Sequence, residues 1–240
     1  MDNLTFIIGV IGNIISVLMF LSPVGTFRRI VKNGSTEEFD SLPYICTLLN
    51  SSLWTYYGII KPGSYLVSTV NGFGVIVETV YIVMFIQFAH TKMRNRTAIL
   101  AGVLNVGISV TTLLLAQFFL HGQMRINVIG FMSTGLNIIM YSSPLGVMKT
   151  VVTTKSVEFM PFLLSFFFFL NGGVWTLYAV LVADWFLGVP NGMGLFLGAV
   201  QLIIYAIYRN PNSSKQIIED LEQADQTERL LPPSSNPTQE

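Results

Sequence analysis

The chain has 240 residues, of which 52% are apolar and only 11% are charged, and its mean hydropathy is +0.61. A soluble domain carries roughly 25% charged residues, so these values argue against a soluble enzyme, a disordered chain, a collagen or a coiled coil. The formal net charge of zero gives no reason to expect nucleic-acid binding, and the lipid bilayer is the expected partner.

Seven apolar stretches are long enough to cross a bilayer, which takes roughly 17–25 helical residues. They predict spans over residues 4–27, 43–60, 65–89, 98–120, 127–148, 161–182 and 184–208. Eleven of the 13 Lys and Arg residues follow the odd-numbered spans. Because basic segments stay in the cytosol, we expect a cytosolic C-terminus and a non-cytosolic N-terminus. Residues 210–240 are polar and rich in Pro and Ser, which predicts a disordered cytosolic tail.

The second half of the chain repeats the first at a distance of 121 residues. Over residues 22–57, 12 of the 36 positions are identical to those 121 residues later, and the fourth span has no counterpart. This predicts one three-helix repeat over 1–96, a linker helix over 97–121 and a second repeat over 122–209. A single intervening span gives both repeats the same orientation, as in transporters built from parallel repeats. The expected fold is an all-α membrane protein of seven transmembrane helices in a 3+1+3 order.

Several segments resemble the plant SWEET sugar transporters: STEEF (35–39), LWTYYG (53–58), NGFG (71–74), MYSSPL (140–145), TKSVEFMP (154–161) and PNG (190–192). The resemblance covers about residues 4–209 and implies bidirectional, uncoupled sugar diffusion by alternating access. Residues 7–13 and 42–46 look most like the branch placed at the vacuolar membrane. The resemblance also implies a possible homo-oligomer, since the family often forms trimers.

Matched aromatic and amide side chains lie at one depth in the predicted spans: Trp54, Trp175, Asn71 and Asn191. At 1.5 Å per residue, all four lie about 10 Å below the non-cytosolic surface. Asn50 and Asn171 lie one turn deeper, each on the same helix face as the tryptophan four residues later. Indole stacks on sugar C–H faces, and carboxamides both donate to and accept from hydroxyls. The pattern predicts a sugar site. The alternative is that each Asn binds a neighbouring helix and each Trp belongs to an interfacial belt.

Met19 and Met140 are a further matched pair under the 121-residue shift. In the family, these positions line the pocket floor together with those of Asn50 and Asn171. Met and Asn are bulkier than the small residues of the disaccharide carriers, so the resemblance implies a monosaccharide such as glucose or fructose. Core packing is the alternative interpretation for the two methionines.

Four prolines fall near the cytosolic ends of the first two spans of each repeat: Pro23, Pro43, Pro144 and Pro161. Because proline bends a helix, they are candidate hinges. Pro43 and Pro161 fit equally well as the first residues of their helices.

Three residues on the opposite side are candidates for an outer gate: Tyr57, Tyr178 and Asp184. The family pattern suggests a tyrosine hydroxyl bonded to Asp184. An N-cap role for Asp184 fits equally well. Ala179 stands where the first repeat has Gly58, so the two sides of the gate need not be equivalent.

Glu78 is the one carboxylate well inside a predicted span. A proton-coupled carrier would need such a residue, but its counterpart is Gly198 and no basic partner stands near it in the sequence. We expect a protonated or hydrogen-bonded structural residue. Two other functions compete with sugar transport. One is a proton-coupled solute carrier, and the other is a seven-span receptor; the internal repeat argues against the receptor. No pattern suggests catalysis, a metal site or a cofactor.

Overall fold

A computed structural model describes residues 2–209, and all the regular structure within that range is helical. The predicted tail over 210–240 lies outside the described residues. The helices are α1 (Asn3–Leu21), α2 (Val24–Asn33), α3 (Leu42–Ile60), α4 (Tyr65–Phe88), α5 (Thr91–Ala101), α6 (Thr111–Phe119), α7 (Gly122–Met140), α8 (Ser142–Thr154), α9 (Phe162–Leu181) and α10 (Trp185–Tyr208). A π-helical stretch, Gly102–Val110, joins α5 to α6.

These helices form seven rods at the seven predicted positions, since α1–α2, α5–α6 and α7–α8 each run on as one rod. Within the described residues, six rods are long and apolar enough to cross a membrane. The exception is α3, which has the length but carries Asn50 and several hydroxyl side chains among its apolar residues. The first rod also extends beyond its predicted end at residue 27, because α2 continues to Asn33.

The rods pack as two bundles with the same internal order. In the first bundle α4 lies between α1 and α3, and in the second α10 lies between α7 and α9. The bundles meet where α1 packs on α9 and α3 packs on α7, which closes a ring of six helices. The linker rod packs mainly against α3 and α4 of the first bundle. The predicted 3+1+3 architecture is therefore confirmed.

Equivalent contacts hold the first and third rods of each bundle together. Asn13 Nδ2 donates to the Leu66 carbonyl at 2.9 Å, and Thr134 Oγ1, its counterpart, donates to the Phe186 carbonyl at 2.9 Å. Both bonds run from a polar side chain on the first rod to a backbone carbonyl in the first turn of the third rod, where the carbonyl oxygen can accept this bond in addition to the one within its own helix.

The difference between Gly58 and Ala179 reflects where each bundle places the glycine at this helix contact. The first bundle has it on α3, and the second has it on α10, opposite Ala179. A Cβ at Gly58 would lie 2.6 Å from the Ser68 nitrogen, so α3 and α4 can approach this closely only at glycine. In the second bundle the glycine is on the facing helix, where a Cβ at Gly188 would lie 3.7 Å from the Ala179 Cβ. The glycine therefore lies on the second rod of the first bundle and on the third rod of the second bundle, at equivalent contacts between these two rods.

Candidate functional site

A cavity of about 370 Å³ lies between the two bundles, inside the ring of six helices. Its volume is within the range of small-molecule sites, roughly 300–1,000 Å³. It is lined by seven of the eight residues predicted to contact substrate: Asn71, Asn191, Trp54, Trp175, Asn50, Asn171 and Met19. Met140 does not line it, although its repeat partner Met19 does.

Asn71 and Asn191 have the same geometry in the two bundles. Each Nδ2 donates to the carbonyl four residues earlier in its own helix, Val67 at 2.8 Å and Leu187 at 2.9 Å. That bond fixes the carboxamide and uses one of its two N–H groups. The other N–H and the amide oxygen make no hydrogen bond within residues 2–209, so both carboxamides can still donate and accept.

Ser16 and Asn137 also line the cavity, and we did not predict them. They are counterparts under the 121-residue shift, which pairs two polar residues in the middle of apolar spans. Ser16 Oγ donates to Asn171 Oδ1 at 2.7 Å and accepts from Trp175 Nε1 at 3.0 Å. These bonds tie α1 of one bundle to α9 of the other.

The equivalent side chains on the opposite wall, Asn137, Asn50 and Trp54, share no such bonds. Asn50 Oδ1 is buried with no hydrogen-bond partner among the described residues. A buried polar atom without a partner is costly, and it needs an explanation such as a ligand. The cavity is therefore preorganised on one wall and has free hydrogen-bonding capacity on the other.

The end of the cavity nearest Asp184 is closed by a charged network. Tyr57 Oη lies 2.9 Å from both Asp184 oxygens and donates to that carboxylate. Lys61 Nζ lies 2.6 Å from Asp184 Oδ2 and donates to Tyr57 Oη at 3.1 Å. Asp184 also accepts from the backbone nitrogens of Phe186 and Leu187, so it is an N-cap as well as a partner of Tyr57.

Tyr178 completes this closed layer from the second bundle. It is fully buried, and its hydroxyl lies 3.5 Å from the Gly63 carbonyl in the α3–α4 loop of the first bundle. Tyr57 and Tyr178 each also pack edge-on against the tryptophan of the same helix, with ring centroids 5.2 Å apart for Trp54–Tyr57 and 5.3 Å for Trp175–Tyr178. Four aromatic rings thus separate the cavity from the Asp184 end.

On the other side, which we call the proline end, the cavity extends to Pro23 and Pro43 but not to Pro144 or Pro161. Pro23 lies in the break between α1 and α2, and Pro144 is the third residue of α8. Pro43 is the second residue of α3, and Pro161 immediately precedes α9. Both are therefore helix starts, a position in which proline needs no hydrogen-bond partner.

Glu78 also lines the cavity and is 4% exposed. Its Oε2 has no partner within residues 2–209, so of the two states that we expected, protonated or hydrogen-bonded, the hydrogen-bonded one is not found there. The two ion pairs of the described residues lie elsewhere: Lys61–Asp184 at the closed end, and Arg29–Glu37 at 2.5 Å in the α2–α3 region. Hydrogen bonds from Arg29 and Asn33 hold the pKa of Glu37 below its usual range.

The remaining side chains around the cavity are neutral hydrogen-bonding groups, aromatic rings and apolar residues. No cluster of three His, Cys, Asp or Glu residues that could hold a metal ion is found in residues 2–209. This combination suits an uncharged, hydroxyl-rich ligand, because amides bind hydroxyls and indoles cover C–H faces without any net charge.

Comparison with known proteins gives consistent matches. A family profile described as "Sugar efflux transporter for intercellular exchange" matches residues 6–93 and again residues 127–213. The chain is 56% identical over 230 residues to the bidirectional sugar transporter SWEET17 of Arabidopsis thaliana, covering 93% of this chain and 95% of the relative. It is 55% identical to SWEET16 of the same plant, covering 92% and 96%. A 3.7 Å structure of a eukaryotic SWEET transporter is 42% identical, with a TM-score of 0.82 over 85% of this chain and 96% of that one.

Proposed function

The chain belongs to the SWEET family of sugar transporters, and from this membership we propose that it is a uniporter that carries a monosaccharide bound between Asn71 and Asn191. It is a multi-pass membrane protein that transports sugar and is not an enzyme. The proposal concerns the sugar, the residues that bind it and the way in which the cavity opens to each side.

The observation that carries the proposed site is the cavity between the bundles with its matched neutral pairs. Asn71 and Asn191 present the same free amide groups from the two repeats, and Trp54 and Trp175 provide an apolar ring face on each side. A sugar placed there exchanges bonds to water for bonds to amides and stacks its C–H faces on indole. A carrier of a charged solute would need a matched charge in this layer.

A monosaccharide is favoured over a disaccharide by the side chains that narrow the cavity. Met19, Asn50 and Asn171 all border it, and each is larger than alanine or serine. Proteoliposomes should therefore exchange labelled glucose or fructose at least tenfold faster than sucrose, since a ring that cannot fit gains none of the binding energy. Equal rates for sucrose would contradict the size argument.

Alternating access is supported by the asymmetry between the two ends. The Asp184 end is closed by four aromatic rings and the Lys61–Asp184–Tyr57 network, whereas the cavity extends toward Pro23 and Pro43. We propose that Tyr57, Tyr178 and Asp184 form the outer gate, and that the breaks next to Pro23 and Pro144 let the first rod of each bundle bend as the proline end closes, while Pro43 and Pro161 begin α3 and α9.

The proposed site is tested by tracer efflux from proteoliposomes carrying Asn71→Ala, Asn191→Ala or Asn95→Ala. The first two changes remove amide bonds to the sugar, and we expect each to lower flux by about tenfold or more. Asn95 is exposed on α5 away from the cavity, so its variant should transport as the wild type does. Wild-type rates for both cavity variants would refute the site, whereas an inactive wild type would refute the function.

We further propose that the protein resides in the vacuolar membrane as a trimer, with its C-terminus in the cytosol. The similarity to SWEET16 and SWEET17 and the eleven basic residues on one side support the placement and the orientation. A C-terminal fluorescent fusion should mark the vacuolar membrane and lose its fluorescence to protease added on the cytosolic side. Light scattering of the purified protein tests the trimer, and a monomeric mass would contradict it.

A further inference from the structure

Glu78 is an unusual residue for this cavity because it is acidic, buried and unpaired. It is 4% exposed, its Oε2 has no partner, and neither ion pair within residues 2–209 includes it. An acidic group inside a membrane protein is expensive to keep and is retained where it has a use. The carrier function described above does not use it.

The position of Glu78 places it apart from the asparagine layer. It lies seven residues after Asn71 on α4, which is about two turns on the same helix face and about 10 Å nearer the proline end. Both residues border the same cavity. A sugar that moves from the asparagine layer toward the proline end therefore passes Glu78.

Tyr44 is a second free polar group near this end of the cavity. It lines the cavity, and its hydroxyl makes no hydrogen bond in the part of the chain that the structure describes. Its ring is held edge-on by Phe27 and Tyr81, with centroid distances of 5.0 and 5.8 Å. Tyr81 is fixed in turn, because it stacks on Phe27 at 4.3 Å and donates to the Phe20 carbonyl.

These groups are confined to the first bundle. The repeat counterparts of Glu78 and Tyr44 are Gly198 and Ser165, which offer no carboxylate and no phenol. The asparagine layer is symmetric between the repeats, whereas this acidic position is not. A symmetric packing requirement therefore does not explain Glu78.

We propose that Glu78 and Tyr44 form a second sugar subsite on the proline side of the asparagine layer, where the Glu78 carboxyl group accepts hydrogen bonds from two adjacent ring hydroxyls. A carboxylate offers two oxygens in one plane, which matches the spacing of a vicinal diol. The Tyr44 hydroxyl can donate to a neighbouring ring oxygen. The proposal rests on sugar transport as the function, and one sugar occupies the asparagine layer and this subsite in succession.

The test uses efflux of glucose and its monodeoxy analogues, each of which lacks one hydroxyl, from proteoliposomes. Losing a hydrogen bond that leaves one oxygen of the buried carboxyl group unpaired costs roughly fivefold or more, so the wild type should discriminate against two analogues modified at adjacent positions. Glu78→Met removes both acceptors, and the penalty at those positions should fall to about twofold or less. Glu78→Gln keeps one acceptor and should retain an intermediate penalty.

Thr79→Val is the matched control, because Thr79 is the next residue on α4 but is exposed, and its hydroxyl donates to its own helix. It should leave the analogue pattern of the wild type unchanged. Tyr44→Phe should alter the penalty at a position next to the diol. If Glu78→Met does not fold, the Glu78→Gln and Tyr44→Phe patterns still decide the matter.

Wild-type analogue penalties in the Glu78 variants would overturn the subsite. So would a wild-type uptake that depends on a proton gradient and loses that dependence in Glu78→Gln, since Glu78 would then carry protons. Neither result affects sugar transport itself, which fails only if the wild type moves no sugar.

Discussion

Ser16 and Asn137 occupy equivalent positions in the two repeats but differ in what they hold together. Ser16 bridges Asn171 and Trp175, while the side chain of Asn137 makes no hydrogen bond within residues 2–209. The first wall of the cavity is thereby fixed across the bundle boundary. The second wall leaves Asn50 Oδ1 buried without a hydrogen-bond partner among the described residues.

Ser16→Ala should therefore destabilise the protein more than Asn137→Ala does. The first change leaves the buried Trp175 N–H without its acceptor, which costs roughly 1–3 kcal/mol, whereas the second breaks no hydrogen bond. Thermal unfolding in detergent measures the difference. An Asn137→Ala variant with the lower midpoint would show that the Ser16 bridge does not stabilise the contact between α1 and α9.

Counting residues from the ends of the predicted spans finds the cavity residues that are conspicuous in an apolar helix and are matched between the repeats. It does not find residues whose side chains are ordinary for a helix. Trp54 and Asn71 stand out in an apolar span, so counting residues from the span end was enough to bring them together. Ser16 is small and common in helices, and no sequence pattern pairs Lys61 with Asp184, its partner in the folded chain. The position of Met140 outside the cavity reflects a difference in packing that 121-residue symmetry cannot predict.

At the scale of elements, glycines determine how closely the helices of each bundle approach. A Cβ at Gly172 would lie 2.6 Å from the Leu195 nitrogen, so α9 touches the backbone of α10 there. At the next residue, Gly173, the nearest atom to an added Cβ is the flexible end of Leu195 at 3.4 Å. Adjacent glycines in one helix thus differ in whether a methyl group can be accommodated.

We expect Gly172→Ala to lower the unfolding midpoint and Gly173→Ala to leave it unchanged or raise it. The first change forces two backbones apart, which costs about 1–3 kcal/mol of overpacking. The second adds a better helix former, worth up to about 1 kcal/mol, at a small steric cost. Thermal unfolding of the two variants side by side provides the measurement. Equal midpoints would mean that α9 and α10 can separate freely.

The sequence predicted the number and order of the rods but not their breaks or their full lengths. Hydropathy ends where polar residues begin, so it stopped the first rod at residue 27, although α2 continues to Asn33 as an amphipathic helix. Hydropathy also does not reveal the π-helical stretch in the linker, because the residues Gly102–Val110 are as apolar as those of an ordinary transmembrane α-helix. Asn105 within that stretch donates to the Ile45 carbonyl of α3, a tertiary contact that hydropathy does not register.

At the scale of the whole molecule, the polar contacts between the bundles within residues 2–209 lie beside the cavity or at its Asp184 end. They comprise the Ser16 bridge, the Tyr57–Asp184 bond, the Lys61–Asp184 ion pair and the Tyr178–Gly63 contact. These bonds join the two bundles at the closed end of the cavity, and we expect that they must break before that end can open. The equilibrium between the two access states depends on their combined strength.

Weakening this network should expose the cavity from the Asp184 side. Val67 lines the cavity and is 1% exposed, so a cysteine placed there, with Cys46→Ser as background, reports access to an impermeant maleimide. In vesicles of one orientation, Tyr57→Phe should raise labelling from the Asp184 side several-fold, because the bond from the Tyr57 hydroxyl to Asp184 is lost. The increase is limited because the Lys61–Asp184 ion pair remains. Asp184→Ala should raise it by about tenfold or more, since it also leaves Lys61 without its partner.

Tyr65→Phe is the control for this labelling experiment, because Tyr65 lies at the same end of the molecule but is 48% exposed, and its hydroxyl forms no hydrogen bond within residues 2–209. It should label at the wild-type rate. Sugar exchange should fall in Asp184→Ala while labelling rises, since a carrier whose outer gate stays open completes fewer cycles. Fast labelling of the wild type from the Asp184 side, or no change in Asp184→Ala, would mean that Lys61, Asp184 and Tyr57 do not close the gate.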